Sequence, residues 1–229
     1  MNSSLRSSPP TSEDELLQRC KQLAGNTISD VAASLKLQIP PDQRKHKGWV
    51  GQIAEIFLGA SAANLSEPDF QEIGVELKTI PMHKPGMPRE STYVCTINLT
   101  DTIGIKWETS TVRKKLNRVL WLPVESDRSI PLAHRRFGSA LLWSPSPEQE
   151  AVLKNDWEEI MDLICLGDLD QVSSSMGTYL QVRPKAANAR SLGRSVSSEG
   201  VSDFTLPRGF YLRTSFTRTL FSKTSVDGR

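Results

Sequence analysis

Two acidic residues and a lysine form the group in this sequence with the clearest capacity for chemistry. Asp69 follows Pro68, and six residues separate it from the triplet Glu76, Leu77 and Lys78. Two neighbouring carboxylates repel each other unless a cation lies between them, and Mg²⁺ supplies that charge while it keeps water ligands of its own. The spacing therefore predicts a metal-dependent centre that cleaves phosphodiesters.

The triplet lies in an alternating apolar run from Ile73 to Ile80, which is typical of a strand. Alternation sends Glu76 and Lys78 to one face of the strand and Val75 and Leu77 to the other, so the polar pair shares a face. A solvated strand face with a local ion pair is the alternative, because a Glu-x-Lys triplet arises readily by chance. The rest of the sequence has to decide between the two.

Three segments near the start of the chain predict helices. Ser12 and Glu15 have the spacing of a capping box, and a second short helix is expected from about Ser29. Trp49 to Ala60 has apolar residues at helical spacing. Glu55 lies off the apolar stripe of this third helix, so simple solvent exposure is its plainest explanation.

The middle of the chain changes to strand-like periodicity. Ile73 to Ile80, Tyr93 to Leu99 and Val119 to Val124 are rich in β-branched and aromatic residues and predict strands of one mixed sheet. The turn-rich segment Lys84 to Pro88 is expected to join the first two as a hairpin. Thr111 to Asn117 is basic and is either a helix or a loop.

The last third begins with a strong helix signal. Ser146 and Gln149 form a capping box, and Gly167 is expected to end the helix. Tyr179 to Val182 predicts a short strand, and the Ser- and Gly-rich segment Ser191 to Ser202 predicts a mobile loop.

Charge is distributed unevenly although the net charge is only +2. Lys106 to Arg136 has eight basic and three acidic side chains, and Arg183 to Arg229 has nine basic and three acidic. Phe137 to Val182, between them, has one Lys and eight acids. The pattern indicates two positive surfaces suited to nucleic acid, with an acidic face turned away or toward a protein partner. A patchwork that serves only solubility is the alternative.

The composition argues against zinc chemistry, thiol catalysis and membrane insertion. The three cysteines are odd in number and far apart, which favours reduced thiols used as small core residues, and the three histidines lack partners at zinc-ligand spacing. No stretch is long and apolar enough for a membrane span and no secretion signal is visible, so we expect a cytoplasmic protein without a membrane association.

Five runs of sequence stand out along the chain: KGWVGQIAEIFLGA (Lys47 to Ala60), DFQEIGVELKTIP (Asp69 to Pro81), RVLWLPVESDRSIPLAHRRFGSALLWSP (Arg118 to Pro145), RPKAANA (Arg183 to Ala189) and TLPRGFYL (Thr205 to Leu212). In this order, these runs resemble the MutH family of bacterial DNA mismatch repair endonucleases. The resemblance covers nearly the whole chain.

That resemblance implies an α/β (α+β) fold of the restriction-endonuclease-like type, with a mixed sheet flanked by helices and two lobes that form a DNA-binding cleft. The expected organisation is a flexible leader at 1–10, a single bilobed domain at 11–222 and a tail at 223–229. The implied activity is Mg²⁺-dependent nicking of the unmethylated strand of duplex DNA at hemimethylated GATC sites. The ATPase MutL is the implied activator, and a monomer suits nicking.

The family pattern assigns the cutting reaction to Glu55, Asp69, Glu76, Lys78 and Lys115. Asp69 and Glu76 would bind the metal, helped by the Leu77 carbonyl. Lys78 would orient the attacking water and stabilise charge on the phosphorane, a role we favour over base catalysis because two nearby carboxylates favour the charged ammonium. Glu55 would be an additional acidic residue of the site, and Lys115 would be its auxiliary basic residue.

The family pattern assigns DNA contacts to Lys47, Tyr93, Arg183, Pro184, Lys185 and Tyr211. Arg183 and Lys185 can donate to guanine edges or phosphates, and Pro184 fixes the backbone between them. Tyr211 matches the position that senses adenine methylation, with Tyr93 nearby where family members can carry Phe. For Tyr211 the alternative is a core aromatic in a strand, and for Lys47 it is a surface lysine before a helix.

Two other functions stay open at this point. A GATC-specific type II restriction endonuclease of the same fold would cut both strands with the same motif. A DNA-binding module without catalysis would make Lys78 dispensable.

Overall fold

The computed structural model describes residues 7–41, 48–61, 66–84, 87–99, 104–185, 193–196 and 202–224. The chain divides into two compact units. Unit 1 comprises Met1–Arg89 and Asn117–Ser144, and unit 2 comprises Glu90–Leu116 and Pro145–Arg229. Each unit is thus built from two separate segments of the chain.

Within the described residues the helices are α1 (Glu13–Leu23), α2 (Ile28–Ser34), α3 (Trp49–Leu58), α4 (Thr111–Leu116), α5 (Pro147–Cys165) and α6 (Thr214–Thr224). The strands are β1 (Glu76–Lys84), β2 (Met87–Pro88), β3 (Thr92–Thr96), β4 (Val119–Glu125), β5 (Leu141–Trp143), β6 (Leu180–Pro184), β7 (Gly193–Val196), β8 (Ser202–Thr205) and β9 (Arg208–Leu212). Among these helices none has the length and apolar character needed to cross a membrane.

The helices of unit 1 begin where the sequence predicts. Ser12 caps α1 by accepting a hydrogen bond from the Glu15 N–H, at 3.1 Å. The Glu15 carboxylate accepts from Thr11, one residue earlier than a full capping box requires. Thr27 and Asp30 form the complete box at the start of α2. These caps satisfy N–H groups that a first helical turn leaves unpaired.

A four-stranded mixed sheet forms the centre of unit 1, in the order β2-β1-β4-β5. β1 and β4 are parallel, with Glu76 opposite Val119, and the other pairs are antiparallel. One face of this sheet, including Leu77 and Leu120, packs on the helices in a core with Leu16 and Ile53. The predicted mixed sheet flanked by helices is therefore confirmed, and its other face is left for Glu76 and Lys78.

The prediction of one sheet for all three middle strands is wrong. β3 lies in unit 2 and pairs with β9, whereas β1 and β4 pair with each other in unit 1. The predicted hairpin is also wrong in its partner, because β1 turns back onto the two-residue β2 and not onto β3. The chain enters unit 2 at Glu90, before β3 begins, so β3 finds its partner there.

Unit 2 contains a three-stranded antiparallel sheet in the order β3-β9-β6 and the long helix α5. The start of α5 is as predicted, with a complete capping box between Ser146 and Gln149 and Pro147 in the first turn. Its apolar stripe, which includes Leu153, Trp157 and Ile160, is buried. Amphipathic periodicity therefore predicted this helix correctly.

The predicted loop at 191–202 is wrong for the residues that the structure describes. Gly193–Val196 forms β7 and pairs antiparallel with β8. The segment has no apolar alternation, and its pairing rests on backbone hydrogen bonds, which leave no mark on side-chain periodicity. Residues 191–192 and 197–201 lie outside the described part of the chain.

The three cysteines form no disulfide with one another, as the sequence predicts, but only two serve as core residues. Cys20 and Cys95 are buried and Cys165 is exposed. Burial raises the pKa of the Cys20 thiol to about 12, so this thiol stays protonated and unreactive at neutral pH.

Candidate functional site

A tight turn brings Asp69 next to β1. Phe70 and Val75 exchange backbone hydrogen bonds at 2.9 and 3.2 Å, and Gly74 closes the turn in the left-handed conformation at φ +64°. The predicted strand from Ile73 therefore begins only at Glu76, because residues 71–73 form a short 3-10 helix. The turn places the Asp69 carboxylate 2.9 Å from the Leu77 N–H, from which it accepts a hydrogen bond.

Glu76 and Lys78 form a buried ion pair on one face of β1. Lys78 Nζ donates to Glu76 Oε1 at 2.6 Å, and only 3% of the Glu76 side chain and 12% of the Lys78 side chain are exposed. Placing two charges out of water is costly, so a pair of this kind is seldom retained for stability alone. The alternative of a solvated strand face is therefore wrong.

The Asp69 carboxylate is poorly stabilised at this position. Burial, with the largest effect, and the negative charges of Glu76 and Glu55 together raise the pKa of Asp69 to about 7, while the hydrogen bond from the Leu77 N–H and the charge of Lys78 act in the opposite direction. The ionised carboxylate therefore lacks enough water and positive charge around it. Such a position favours a bound cation.

Glu55 lies on α3, half-buried, and its charge acts on Asp69. The helix packs against the core through Ile53, Ala54 and Leu58, which are fully buried. Glu55 therefore faces the acidic site although it lies off the apolar stripe, and solvent exposure alone does not explain its position.

The donor set fits a hard divalent cation in chemical type. Asp69 and Glu76 supply carboxylate oxygens and Leu77 a backbone carbonyl, which are the ligands that Mg²⁺ prefers. Among the described residues, no three His, Cys, Asp or Glu side chains converge closely enough to bind a metal in this conformation. In this structure the positive charge beside Glu76 is the Lys78 ammonium, which donates a hydrogen bond to the Glu76 carboxylate.

The other predicted site residues lie elsewhere. Four residues predicted for cutting, Glu55, Asp69, Glu76 and Lys78, lie in unit 1, whereas the fifth, Lys115, lies on α4 in unit 2. Unit 2 also contains the residues predicted to contact DNA, which are Tyr93, Arg183, Pro184, Lys185 and Tyr211. Lys47 falls outside the described residues.

Four of the residues predicted to contact DNA form, together with Thr96, what we call the basic–aromatic face, consisting of Tyr93, Thr96, Arg183, Lys185 and Tyr211. The rings of Tyr93 and Tyr211 meet edge to face, with centroids 5.3 Å apart, where β3 pairs with β9. Lys185 Nζ lies 4.8 Å from the centroid of the Tyr93 ring, and the Arg183 guanidinium lies 6.0 Å from that of Tyr211. Exposed cations beside aromatic rings suit contacts with nucleic acid.

Tyr211 is half-buried and not a core residue, contrary to the plainest reading of a strand aromatic. Partial burial raises the pKa of its hydroxyl, so the ring stays neutral at physiological pH. Gly209 is a site residue that the sequence reasoning missed. A Cβ there would lie 3.0 Å from Tyr93 Cε2, 3.1 Å from the Cys95 carbonyl oxygen and 3.3 Å from Tyr211 Cε2, so any other residue would have to displace these neighbours slightly. Its position two residues before Tyr211 on one strand face was the available signal.

Ion pairing within unit 2 changes the expected charge pattern. Glu150 of α5 accepts from Arg113 at 2.7 Å, and Lys154 of α5 donates to Glu108 at 2.9 Å. Asp156, only 1% exposed, accepts three backbone N–H bonds from residues 178–180. The acidic segment is therefore not simply a face turned away, since some of its charges bind neighbouring parts of the same unit.

Comparisons with known proteins show which family the sequence is similar to. A family model described as "DNA mismatch repair enzyme MutH" matches residues 58–156, which include Asp69, Glu76 and Lys78. The chain is 51% identical over 216 residues to the DNA mismatch repair protein MutH of Escherichia coli O6:K15:H31, and 52% identical over 216 residues to that of Citrobacter koseri, covering 94% of each chain. It is also 51% identical over 219 residues to the MutH protein of Shigella flexneri, covering 96% of both.

Proposed function

The chain belongs to the MutH family of DNA mismatch repair enzymes, and from this premise we propose that it nicks the unmethylated strand of duplex DNA at hemimethylated GATC sites with Mg²⁺. Membership makes the protein a DNA endonuclease of mismatch repair. The GATC sequence, the hemimethylated state and the choice of metal are the finer parts of the proposal.

One observation carries the catalytic part: the buried Lys78 ammonium, hydrogen bonded to Glu76 beside the half-buried Asp69. The backbone of Lys78 is held by the pairing of β1 with β4, and its ammonium is held by the hydrogen bond to Glu76. The ammonium is therefore oriented before any substrate arrives. Charge placed in advance where an anion develops lowers a barrier more than a mobile charge does.

Each residue then has a defined task in phosphodiester hydrolysis. Asp69, Glu76 and the Leu77 carbonyl would hold Mg²⁺, with Glu55 adding negative charge close by. The bound metal would supply Lewis acidity and neutralise charge on the phosphate. Lys78 would direct the attacking water toward phosphorus and would stabilise the negative charge that builds on the non-bridging oxygens.

Recognition would belong to the basic–aromatic face. Arg183 and Lys185 are exposed and can donate to guanine edges or phosphates, with Pro184 between them at the end of β6. The Tyr211 ring, held by Tyr93, would pack against the amino edge of adenine, where one added methyl group would be a steric obstacle. Lys47 would contact a phosphate, and Lys115 would assist the cutting centre.

Three further features belong to the same proposal. MutL would be the activating partner, a monomer would suffice for a single nick, and the cytoplasm would be the compartment of action. The chain would act as one bilobed domain over residues 11–222.

The proposal is tested with supercoiled plasmid that carries GATC sites in unmethylated, hemimethylated or fully methylated form, incubated with Mg²⁺ and with or without MutL. We expect nicked circles from hemimethylated plasmid, stimulation by MutL and protection by full methylation. Hemimethylated plasmid that stays supercoiled under every condition would overturn the proposal. Linear product without a nicked intermediate would instead favour the GATC-specific restriction endonuclease.

A further inference from the structure

Thr96 contacts two residues of the basic–aromatic face, the ammonium of Lys185 and the hydroxyl of Tyr93. Lys185 Nζ donates to Thr96 Oγ1 at 2.7 Å and to the Tyr93 hydroxyl at 2.9 Å. The two oxygens are 2.8 Å apart and also hydrogen bonded to each other. A lysine at the end of β6 thus reaches across the middle strand β9 to two side chains of β3.

A bulge in β3 makes this arrangement possible. Tyr93 lies opposite Tyr211, but Cys95 lies opposite the adjacent Phe210, so β3 has one more residue than β9 at this point. In a regular strand, residues three apart point to opposite faces, and the extra residue of a bulge reverses that relation. Tyr93 and Thr96 therefore share a face, and both are within reach of one ammonium.

The consequence follows from the geometry of an ammonium group, which has three donors. Two of them are directed at Thr96 and Tyr93, while the Tyr93 ring lies under the charge at 4.8 Å. Lys185 is exposed, so the third donor can be offered to DNA. A free lysine would have to lose side-chain freedom to make the same directed contact.

The other cation of the face is held in a similar way. Arg183 Nη1 donates to Ser91 Oγ at 2.7 Å, and its guanidinium lies beside the Tyr211 ring. Ser91, just before β3, thus has the same relation to Arg183 that Thr96 has to Lys185. Each of the two cations thus donates to a hydroxyl group of the segment that contains β3, which argues against a chance surface contact.

We propose that Thr96 is a positioning residue for DNA recognition, which directs the Lys185 ammonium through a hydroxyl pair with Tyr93. The proposal rests on the proposed function, in which Lys185 contacts DNA. A directed donor matters most where a base edge or one phosphate oxygen must be met, whereas a mobile ammonium still neutralises phosphate charge. Thr96 should therefore affect the preference for the recognised sequence more than the overall charge interaction.

The test compares Thr96→Val with the wild type in fluorescence anisotropy titrations without Mg²⁺, on a hemimethylated GATC duplex and on a duplex with the same bases scrambled. We expect about three- to ten-fold weaker binding to the GATC duplex and a smaller change on the scrambled one. Thr96→Ser should restore binding. The slope of log affinity against log salt should be unchanged in Thr96→Val, because the charge is kept, but lower by about one in Lys185→Met.

Two further variants separate positioning from general damage. In a Lys185→Met background, Thr96→Val should have no additional effect, and Thr92→Val on the same strand should bind like the wild type. GATC binding that is unchanged or tighter in Thr96→Val, or an equal loss in the Lys185→Met background, would overturn the proposal.

A measurement without DNA distinguishes this proposal from the proposed function. In ¹⁵N-labelled protein, proton exchange between water and the Lys185 ammonium should be slower than for the exposed Lys21, and Thr96→Val should accelerate it. If the wild type binds both duplexes equally, the proposed function has failed. The hydroxyl pair is then judged by this exchange rate alone, and exchange as fast as that of Lys21 would overturn it.

Discussion

At Lys78, an ammonium group with 12% of its side chain exposed meets a carboxylate with 3% exposed. The Lys78–Glu76 pair is central to the proposed chemistry, because it places a positive charge beside a carboxylate that, with Asp69, is suited to bind a metal. The spacing in the sequence predicts Asp69, Glu76 and Lys78 as site residues. It does not predict their burial, because burial depends on the turn at Gly74 and on the pairing of β1 with β4.

Removal of the Lys78 charge should abolish most of the nicking activity. We expect Lys78→Ala to lower the nicking rate about 10²- to 10³-fold, as for other groups that stabilise charge in a transition state. The measurement is the single-turnover rate on hemimethylated plasmid. Thermal unfolding of the same sample checks that the loss of charge beside Glu76 has not unfolded the protein.

The matched control is Lys21→Ala, which removes an exposed lysine from the end of α1 in the same unit. It should nick at the wild-type rate. A rate for Lys78→Ala within about threefold of the wild type, in folded protein, would contradict the proposed catalytic role of Lys78.

Loss of the Tyr211 ring should weaken methyl discrimination and spare cutting. We expect Tyr211→Ala to retain nicking but to reduce the ratio of rates on hemimethylated and fully methylated DNA by about tenfold, since one methyl group against a packed surface is worth about that factor. Tyr211→Phe keeps the ring that contacts Tyr93 and should keep the ratio. An unchanged ratio in Tyr211→Ala would remove the proposed role.

At the scale of elements, the turn from Phe70 to Val75 decides whether Asp69 reaches β1. The turn depends on Gly74 at φ +64°, where a side chain is strained even though a Cβ would meet no atom within 4 Å. The strain is therefore in the backbone, and it acts on the segment that holds Asp69 at the Leu77 N–H.

Gly74→Ala should cost about 1–2 kcal/mol of unfolding free energy and should slow nicking, because the alanine resists the left-handed conformation. Urea unfolding and nicking rates measure the two effects. Gly48→Ala is the control, since Gly48 also has free space around a Cβ but has φ −90°. Equal stability of both variants would show that the turn does not need its glycine.

The sequence predicted elements well wherever local signals suffice. The capping box and apolar stripe of α5 gave both its start and its buried face. Strand partners were predicted less well, because pairing joins segments far apart in the chain and periodicity does not specify the partner. For the same reason the position of Thr96 beside Tyr93 was invisible, since a bulge that depends on β9 reverses its face.

At the scale of the whole molecule, unit 1 contains four of the residues that we propose for cutting, and unit 2 contains Lys115 and the basic–aromatic face. Both units are discontinuous in sequence, so the order of motifs along the chain does not show this division. The sequence contains one Asp69, Glu76 and Lys78 set, so the monomer that we propose would cut one strand at a time. The proposed choice of strand would then come from recognition, and not from the cutting chemistry.

Strand-resolved cleavage of a short duplex is the sharpest test of the proposed choice of strand. The duplex has one GATC site, adenine methylation on one strand, and a different fluorophore on each strand. With Mg²⁺ and MutL, we expect cleavage of the unmethylated strand alone, and the cleaved strand should change when the methyl group is moved to the other strand. Equal cleavage of both strands, or cleavage of the same strand wherever the methyl group lies, would contradict the proposed choice of strand.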